Sequence, residues 1–164
     1  MKTEAGELLV GAYLKIIQQC DVVTYNSRLP GGGLRGLEEI DVVGLQFHSR
    51  TAYLCEVTTH IRGVGYGNGN ADTIERIRRK FRRLQTYADT VLMNFPNRHF
   101  MFWAPVVPNG YITERLARVD GLEVIINQDY TQRIDELRRQ AHNRTNDENN
   151  DAFRLLQILE HLRR

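Results

Sequence analysis

The sequence predicts an α/β domain in which a mixed β-sheet is flanked by helices. An apolar-striped helix opens the chain, and three short strand-like segments follow it, the last two separated only by a three-residue turn. Strands and helices then alternate to the end of the chain. A hairpin followed by such alternation is typical of a sheet that contains both antiparallel and parallel pairs.

The N-terminal third supplies the first helix and the hairpin. Residues 4–19 place apolar side chains at steps of three and four, which predicts an amphipathic helix. Residues 21–25 are short and β-branched, as in a strand. The segment 26–36 contains three consecutive glycines and is expected to be a loop. Residues 39–47 and 51–59 are the two strands of the hairpin.

The rest of the chain alternates. A second glycine-rich loop at 63–70 precedes a long helix that starts at Asp72, where Asp72 and Glu75 resemble a capping box. The elements expected after that helix, which runs to about residue 92, are strand 99–107, helix 113–119, strand 122–127, helix 129–140 and helix 152–162. We expect one domain at 1–141, a polar linker at 142–151 and a C-terminal helix at 152–164.

The bulk composition is ordinary for a globular protein. No apolar run approaches the ~18 residues that a membrane span needs. The N-terminus carries early glutamates and no long apolar stretch, so it does not predict a signal peptide. Cys20 and Cys55 lack metal-ligand spacing. We therefore expect a cytoplasmic protein with reduced thiols and no membrane partner.

The basic residues are strongly biased toward arginine. Of 22 lysines and arginines only three are lysine, which leaves 19 arginines. The planar guanidinium suits phosphate contacts. A GC-rich genome produces the same bias without any function, and both explanations stay open.

Two acidic residues interrupt apolar strands. Asp41 lies in IDVVGL and Glu56 in YLCEVT. If the two strands pair, both carboxylates can converge at one sheet edge. A buried carboxylate needs a partner, and carboxylate oxygens with a backbone carbonyl suit Mg²⁺ or Mn²⁺. By itself the pair is weak evidence, since acidic residues near strand ends are common.

A set of short motifs around these residues occurs in a recognisable order. The motifs are Glu7 with Tyr13-Leu14 on the first helix, Asn26-Ser27-Arg28, Glu39-Ile40-Asp41-Val42-Val43 and Leu54-Cys55-Glu56-Val57-Thr58. Together they resemble the PD-(D/E)XK nuclease superfamily, with its restriction-endonuclease-like fold. Within it they are most similar to Holliday-junction-resolvase-like and YraN-type proteins. The resemblance covers residues 6–92 by motif and the rest by element order only.

The resemblance implies a nuclease domain with a metal site. Asp41 and Glu56 would ligate Mg²⁺ or Mn²⁺ with help from the Val57 carbonyl. Glu7 would complete the acidic cluster, and its alternative interpretation is a solvent-facing helix glutamate.

The chain departs from the family pattern at Thr58, where a lysine is expected. Such superfamily members either tolerate another residue, supply the lysine from elsewhere, or are inactive. Lys80 falls at one margin of the apolar stripe of the helix from Asp72, and from there it could reach the site. Its alternative interpretation is a surface lysine whose stem covers apolar neighbours.

Arginines supply the candidate nucleic-acid contacts. Five arginines on the long helix are expected on its outer side, namely Arg76, Arg78, Arg79, Arg82 and Arg83. Arg28, Arg35 and Arg62, in or near the loops, are further candidates for meeting a phosphate backbone. The alternative is a solvated basic surface with no ligand.

Two classes of function follow. The first is a divalent-metal-dependent DNA endonuclease. The second is a catalytically inactive nuclease-fold module that binds nucleic acid or a protein partner, for example as an accessory or immunity protein. A homodimer also stays open, because four leucines of the last helix either form a dimer stripe or close the core: Leu155, Leu156, Leu159 and Leu162.

Overall fold

The computed structural model describes residues 2–30, 39–65 and 69–163. These residues form one five-stranded sheet in the order β1-β2-β3-β4-β5. The strands are β1 (Val22–Arg28), β2 (Glu39–Gln46), β3 (Thr51–Val57), β4 (Asn97–Ala104) and β5 (Leu122–Ile126). β1, β2 and β3 pair antiparallel, whereas β4 pairs parallel to both β3 and β5. The predicted mixed sheet is confirmed.

Helices cover both faces of this sheet. They are α1 (Ala5–Ile16), α2 (Asn70–Val91), α3 (Tyr111–Leu116), α4 (Asn127–Asn143) and α5 (Asp151–Leu162). α2 packs on β3, β4 and α3, while α1, α4 and α5 pack together against the opposite face. The predicted α/β class is therefore confirmed, with the sheet as the middle layer.

The central strand β3 is buried on both faces, and six of its seven residues are buried. On the α1 side, the fully buried Trp103 of β4 lies at the centre of the core. Its ring meets Tyr13 edge-on at 5.1 Å between centroids and Tyr130 at 6.0 Å. These contacts fix α1 and α4 on the strand next to β3.

The long helix starts earlier than the sequence predicts. α2 begins at Asn70, with Gly69 at the N-cap position and no side-chain capping bond. Asp72 lies in the first turn, so the expected capping box is wrong. A glycine cap gives no side-chain signal that a sequence pattern could detect.

The predicted polar linker is shorter than expected. His142 and Asn143 end α4 and Asp151 begins α5, so only residues 144–150 connect them. The Asn150 side chain accepts a hydrogen bond from the Phe153 amide at 2.9 Å and caps α5. The Gln157 side chain donates to two carbonyls of this connection. The connection is therefore tied to the helix that follows it.

The leucine stripe of α5 divides between core and surface. Leu156 packs against the core beside the fully buried Phe153. Leu155, Leu159 and Leu162 are exposed. Helix α5 therefore closes the core through one face and leaves an apolar strip on the other.

Across the described parts of the chain, none of the helices has both the length and the apolar character that a membrane crossing requires.

A close approach between α1 and β1 can be tested by adding one methyl group. A Cβ at Gly11 would clash with the Tyr25 hydroxyl and lie 2.6 Å from Cζ of that ring. We expect Gly11→Ala to lower the free energy of unfolding by about 1–3 kcal/mol, measured by urea denaturation. Gly65→Ala is the control, because its Cβ would meet nothing within 4 Å. Equal stability of the two variants would contradict this packing.

Candidate functional site

The register of β2 against β3 brings the two predicted carboxylates together. Val42 lies opposite Cys55, so Asp41 and Glu56 come next on the same ladder. The Asp41 Oδ2 atom accepts a hydrogen bond of 2.7 Å from the Val57 amide. Alternation along each strand turns both carboxylates toward α2. The predicted convergence of Asp41 and Glu56 is thus present.

Glu56 is buried and bound by two cations. Its side chain is 2% exposed. Lys80 donates from Nζ to Oε2 at 2.7 Å, and Arg83 donates from its guanidinium to Oε1 at 2.9 Å. The two cations lie three residues apart, on one side of α2. Each oxygen of Glu56 therefore has a charged partner.

Asp41 carries a perturbed carboxyl. Burial is the largest cause, and together with the negative charge of Glu56 it raises the pKa of Asp41 from 3.8 to about 7. The positive charge of Lys80 and the Val57 amide act in the opposite direction. A carboxyl that is buried beside a second carboxylate keeps its proton to a higher pH than an exposed carboxyl does.

Glu7 lies at the N-terminus of α1 and is buried, 7% exposed. One of its oxygens accepts a hydrogen bond from the Glu4 amide at 3.0 Å. Burial raises the pKa of Glu7 above its ordinary value, and the charges of Glu4, Glu39 and Glu56 add to the increase. The solvent-facing alternative is therefore wrong, and the glutamate belongs to the acidic neighbourhood of the site.

Lys80 places its ammonium beside Glu56, which position 58 does not do. Thr58 is buried directly after β3, and its amide continues the ladder by donating to the Trp103 carbonyl at 2.9 Å. The ammonium beside Glu56 comes instead from Lys80 on α2. The alternative of a surface lysine is wrong, because the Lys80 side chain is 26% exposed and ends on a buried carboxylate.

The predicted arginines divide into several environments. Arg76 and Arg79 are exposed on α2 as expected. Arg83 is not: its side chain is 18% exposed and turns to Glu56, so its expected place on the outer side is wrong. The long arginine side chain reaches around the edge of the helix beside Lys80, which a helical wheel does not show.

The arginines outside α2 also differ from one another. Arg28 pairs with the buried Glu39 at the end of β1, and its side chain is 51% exposed. Arg62 is exposed shortly after β3. Arg35 lies outside the described residues. Sequence reasoning did not assign a role to Glu39, although its place two residues before Asp41 on the same strand was a usable signal.

The oxygen atoms near Asp41 and Glu56 are the candidate ligands for a divalent metal ion. The described residues contain no group of three histidine, cysteine, aspartate or glutamate side chains arranged to hold a metal. Asp41, Glu56 and the Val57 carbonyl form a smaller set of oxygen donors. Mg²⁺ is commonly held by one or two carboxylates together with substrate phosphate and water. These oxygen donors are of the kind that Mg²⁺ and Mn²⁺ prefer, but both oxygens of Glu56 are already bound by cations of the same chain.

Comparison with known proteins found no family model, no curated protein and no solved structure that matches the chain.

The perturbed Asp41 predicts a specific pH dependence of stability. Because the pKa of Asp41 is raised from 3.8 to about 7 on folding, the folded state binds more protons than the unfolded state between these values. Stability from this group is thus lost as pH rises through that window. An asparagine side chain does not titrate, so the Asp41→Asn variant does not lose this stability. We therefore expect the free energy of unfolding of Asp41→Asn, relative to the wild type, to be higher at about pH 8 than at about pH 5, by on the order of 2 kcal/mol.

Urea unfolding at both pH values in the presence of a chelator measures this difference. Asp89→Asn is the matched control, because Asp89 is 72% exposed at the far end of α2. A gap between Asp41→Asn and the wild type that does not change with pH would contradict the raised pKa.

Proposed function

We propose that the protein is a divalent-metal-dependent endonuclease that hydrolyses phosphodiester bonds in DNA. One observation carries the proposal. Asp41 and Glu56 meet on adjacent strands, and the Lys80 ammonium lies 2.7 Å from Glu56. Two carboxylates and one lysine are the chemical groups that the PD-(D/E)XK resemblance implies, although the lysine comes from α2 instead of position 58.

Each residue has a distinct role in this proposal. Asp41 and Glu56 would hold Mg²⁺ or Mn²⁺ together with the Val57 carbonyl, and Glu7 would add negative charge nearby. When bound, such an ion lowers the pKa of water and stabilises charge on the transferring phosphate. Lys80 orients the attacking water and stabilises negative charge that develops on the phosphate. Thr58 carries no charge and cannot perform that second task.

The rest of α2 supports a nucleic-acid substrate. Arg76 and Arg79 are exposed on the helix whose inner side carries Lys80. Arg82 is paired with Glu75 at 2.9 Å, and both side chains are more than half exposed. Exposed arginines next to a phosphoryl-transfer site can bind the phosphate backbone.

The free thiols Cys20 and Cys55 fit a reducing compartment, and the proposed location of the protein is the cytoplasm.

A second function is favoured by the state of Glu56. Both of its oxygens are bound by cations of the same chain. A buried ion cluster of this kind is also found where its role is purely structural. The alternative is therefore an inactive nuclease-fold module that binds nucleic acid or a protein partner. It predicts binding that survives loss of the carboxylates.

Cleavage assays with matched variants separate the two functions. Duplex, branched and single-stranded DNA are incubated with Mg²⁺ or Mn²⁺ and each variant. We expect Asp41→Asn and Glu56→Gln to abolish cleavage, because each removes a metal ligand. Lys80→Met is expected to lower the rate about 10²-fold or more, since it removes one stabilising donor.

Glu75→Gln is the control for these variants, because Glu75 is an exposed acid on the same helix and pairs with Arg82 on the outer surface. It should cut at the wild-type rate, and circular dichroism verifies that all variants are folded. Normal cleavage by Asp41→Asn would refute the nuclease assignment. DNA binding without any cleavage, unchanged in Asp41→Asn, would establish the binding module instead.

The exposed arginines predict a salt-dependent interaction. Each phosphate contact contributes about 0.9 to the slope of log K against log salt concentration. We expect Arg79→Gln to weaken DNA binding and to reduce that slope by about one, measured by fluorescence anisotropy over a salt series. Arg118→Gln, a change of the same charge at an exposed position after α3, should leave the slope unaltered. Identical slopes for Arg79→Gln and the wild type would exclude Arg79 from the interface.

A further inference from the structure

The two cations in contact with Glu56 already compensate the negative charge of this pair of carboxyl groups. Asp41 and Glu56 contribute two negative charges when ionised, and Lys80 and Arg83 contribute two positive charges. Lys80 and Arg83 contact Glu56 directly, at 2.7 and 2.9 Å. The four groups therefore carry no net negative charge in the free protein, whether or not Asp41 is ionised.

The contacts are also shielded from solvent. The side chains of Glu56, Arg83 and Lys80 are 2%, 18% and 26% exposed. Charge pairs interact more strongly when water is excluded. A divalent cation that entered this site alone would compete with Lys80 and Arg83 for Glu56. It would also leave net positive charge in a partly buried place.

A phosphodiester would relieve both the competition for Glu56 and the excess of positive charge. It brings the negative charge that offsets an added cation, and its oxygens are good acceptors for both a guanidinium and an ammonium. Lys80 and Arg83 could then exchange Glu56 for phosphate without losing a charged partner.

We propose that Lys80 and Arg83 act as a gate on metal binding, holding Glu56 in the free protein and releasing it only when a nucleic-acid phosphate arrives. This inference depends on the proposed function, since it concerns the same site. It assigns Arg83 as a positioning residue that couples the two binding events. Because coupling between sites is reciprocal, the metal must strengthen phosphate binding by the factor by which phosphate strengthens metal binding.

Calorimetric titration with Mn²⁺ tests the gate, with and without a short phosphorothioate DNA duplex that resists hydrolysis. For the wild type we expect weak binding alone and binding about tenfold tighter with the duplex. Arg83→Gln should bind Mn²⁺ alone about tenfold tighter than the wild type, because one competitor for Glu56 is removed. The increase in the Mn²⁺ affinity of Arg83→Gln on adding the duplex should be correspondingly smaller than in the wild type.

Arg82→Gln is the matched control. It makes the same change of charge one position along α2, but Arg82 pairs with the exposed Glu75. It should bind Mn²⁺ alone as the wild type does. Arg83→Lys keeps the positive charge and should also remain close to the wild type.

The outcomes separate the inference from the function. Equal Mn²⁺ affinity of the wild type and Arg83→Gln, with no effect of the duplex, overturns the gate and leaves the metal site standing. Absence of Mn²⁺ binding in every variant, with the duplex present, overturns both. If Arg83→Gln does not fold, the wild-type comparison with and without duplex decides: unchanged affinity overturns the gate.

Discussion

The ion cluster between Glu56, Lys80 and Arg83 is the interaction on which the site depends. A carboxylate that is 2% exposed is strongly unfavourable without charged partners. Both partners come from α2, so this helix is held over β3 by charge as well as by its apolar stripe. Loss of one cation would leave a buried charge poorly compensated. The position of α2 therefore depends on both ion pairs that it forms with Glu56.

The ionised form of Asp41 is unfavourable beside the same cluster. It is bound to the Val57 amide and lies beside Glu56, whose charge adds to burial in raising the pKa of Asp41. Two adjacent carboxylates in a partly buried place oppose folding and do not help packing. Such a local cost is typical of a site selected for binding or chemistry. The cost of burying two adjacent carboxyl groups supports the interpretation of this sheet edge as a functional site.

The fold and the acidic pair were accessible from the sequence, because both follow from regular periods. Alternation along β2 and β3 and antiparallel pairing were sufficient to bring Asp41 and Glu56 together. The contact between Arg83 and Glu56 was missed, because a helical wheel gives the direction of Cβ and not the reach of a long side chain. The start of α2 was missed because the cap is Gly69, which has no side-chain signal. Lys80 was correctly placed at the margin of its helix, from which it reaches Glu56.

Anomalous diffraction from crystals grown with Mn²⁺ and the phosphorothioate duplex would show directly whether a metal binds at this site. We expect one anomalous peak between Asp41 and Glu56, with Lys80 and Arg83 turned from Glu56 toward a DNA phosphate. DNA bound with no anomalous peak, and with both cations still on Glu56, would contradict this expectation. In that case the cluster would be a structural ion network, and the fold would serve as a binding module.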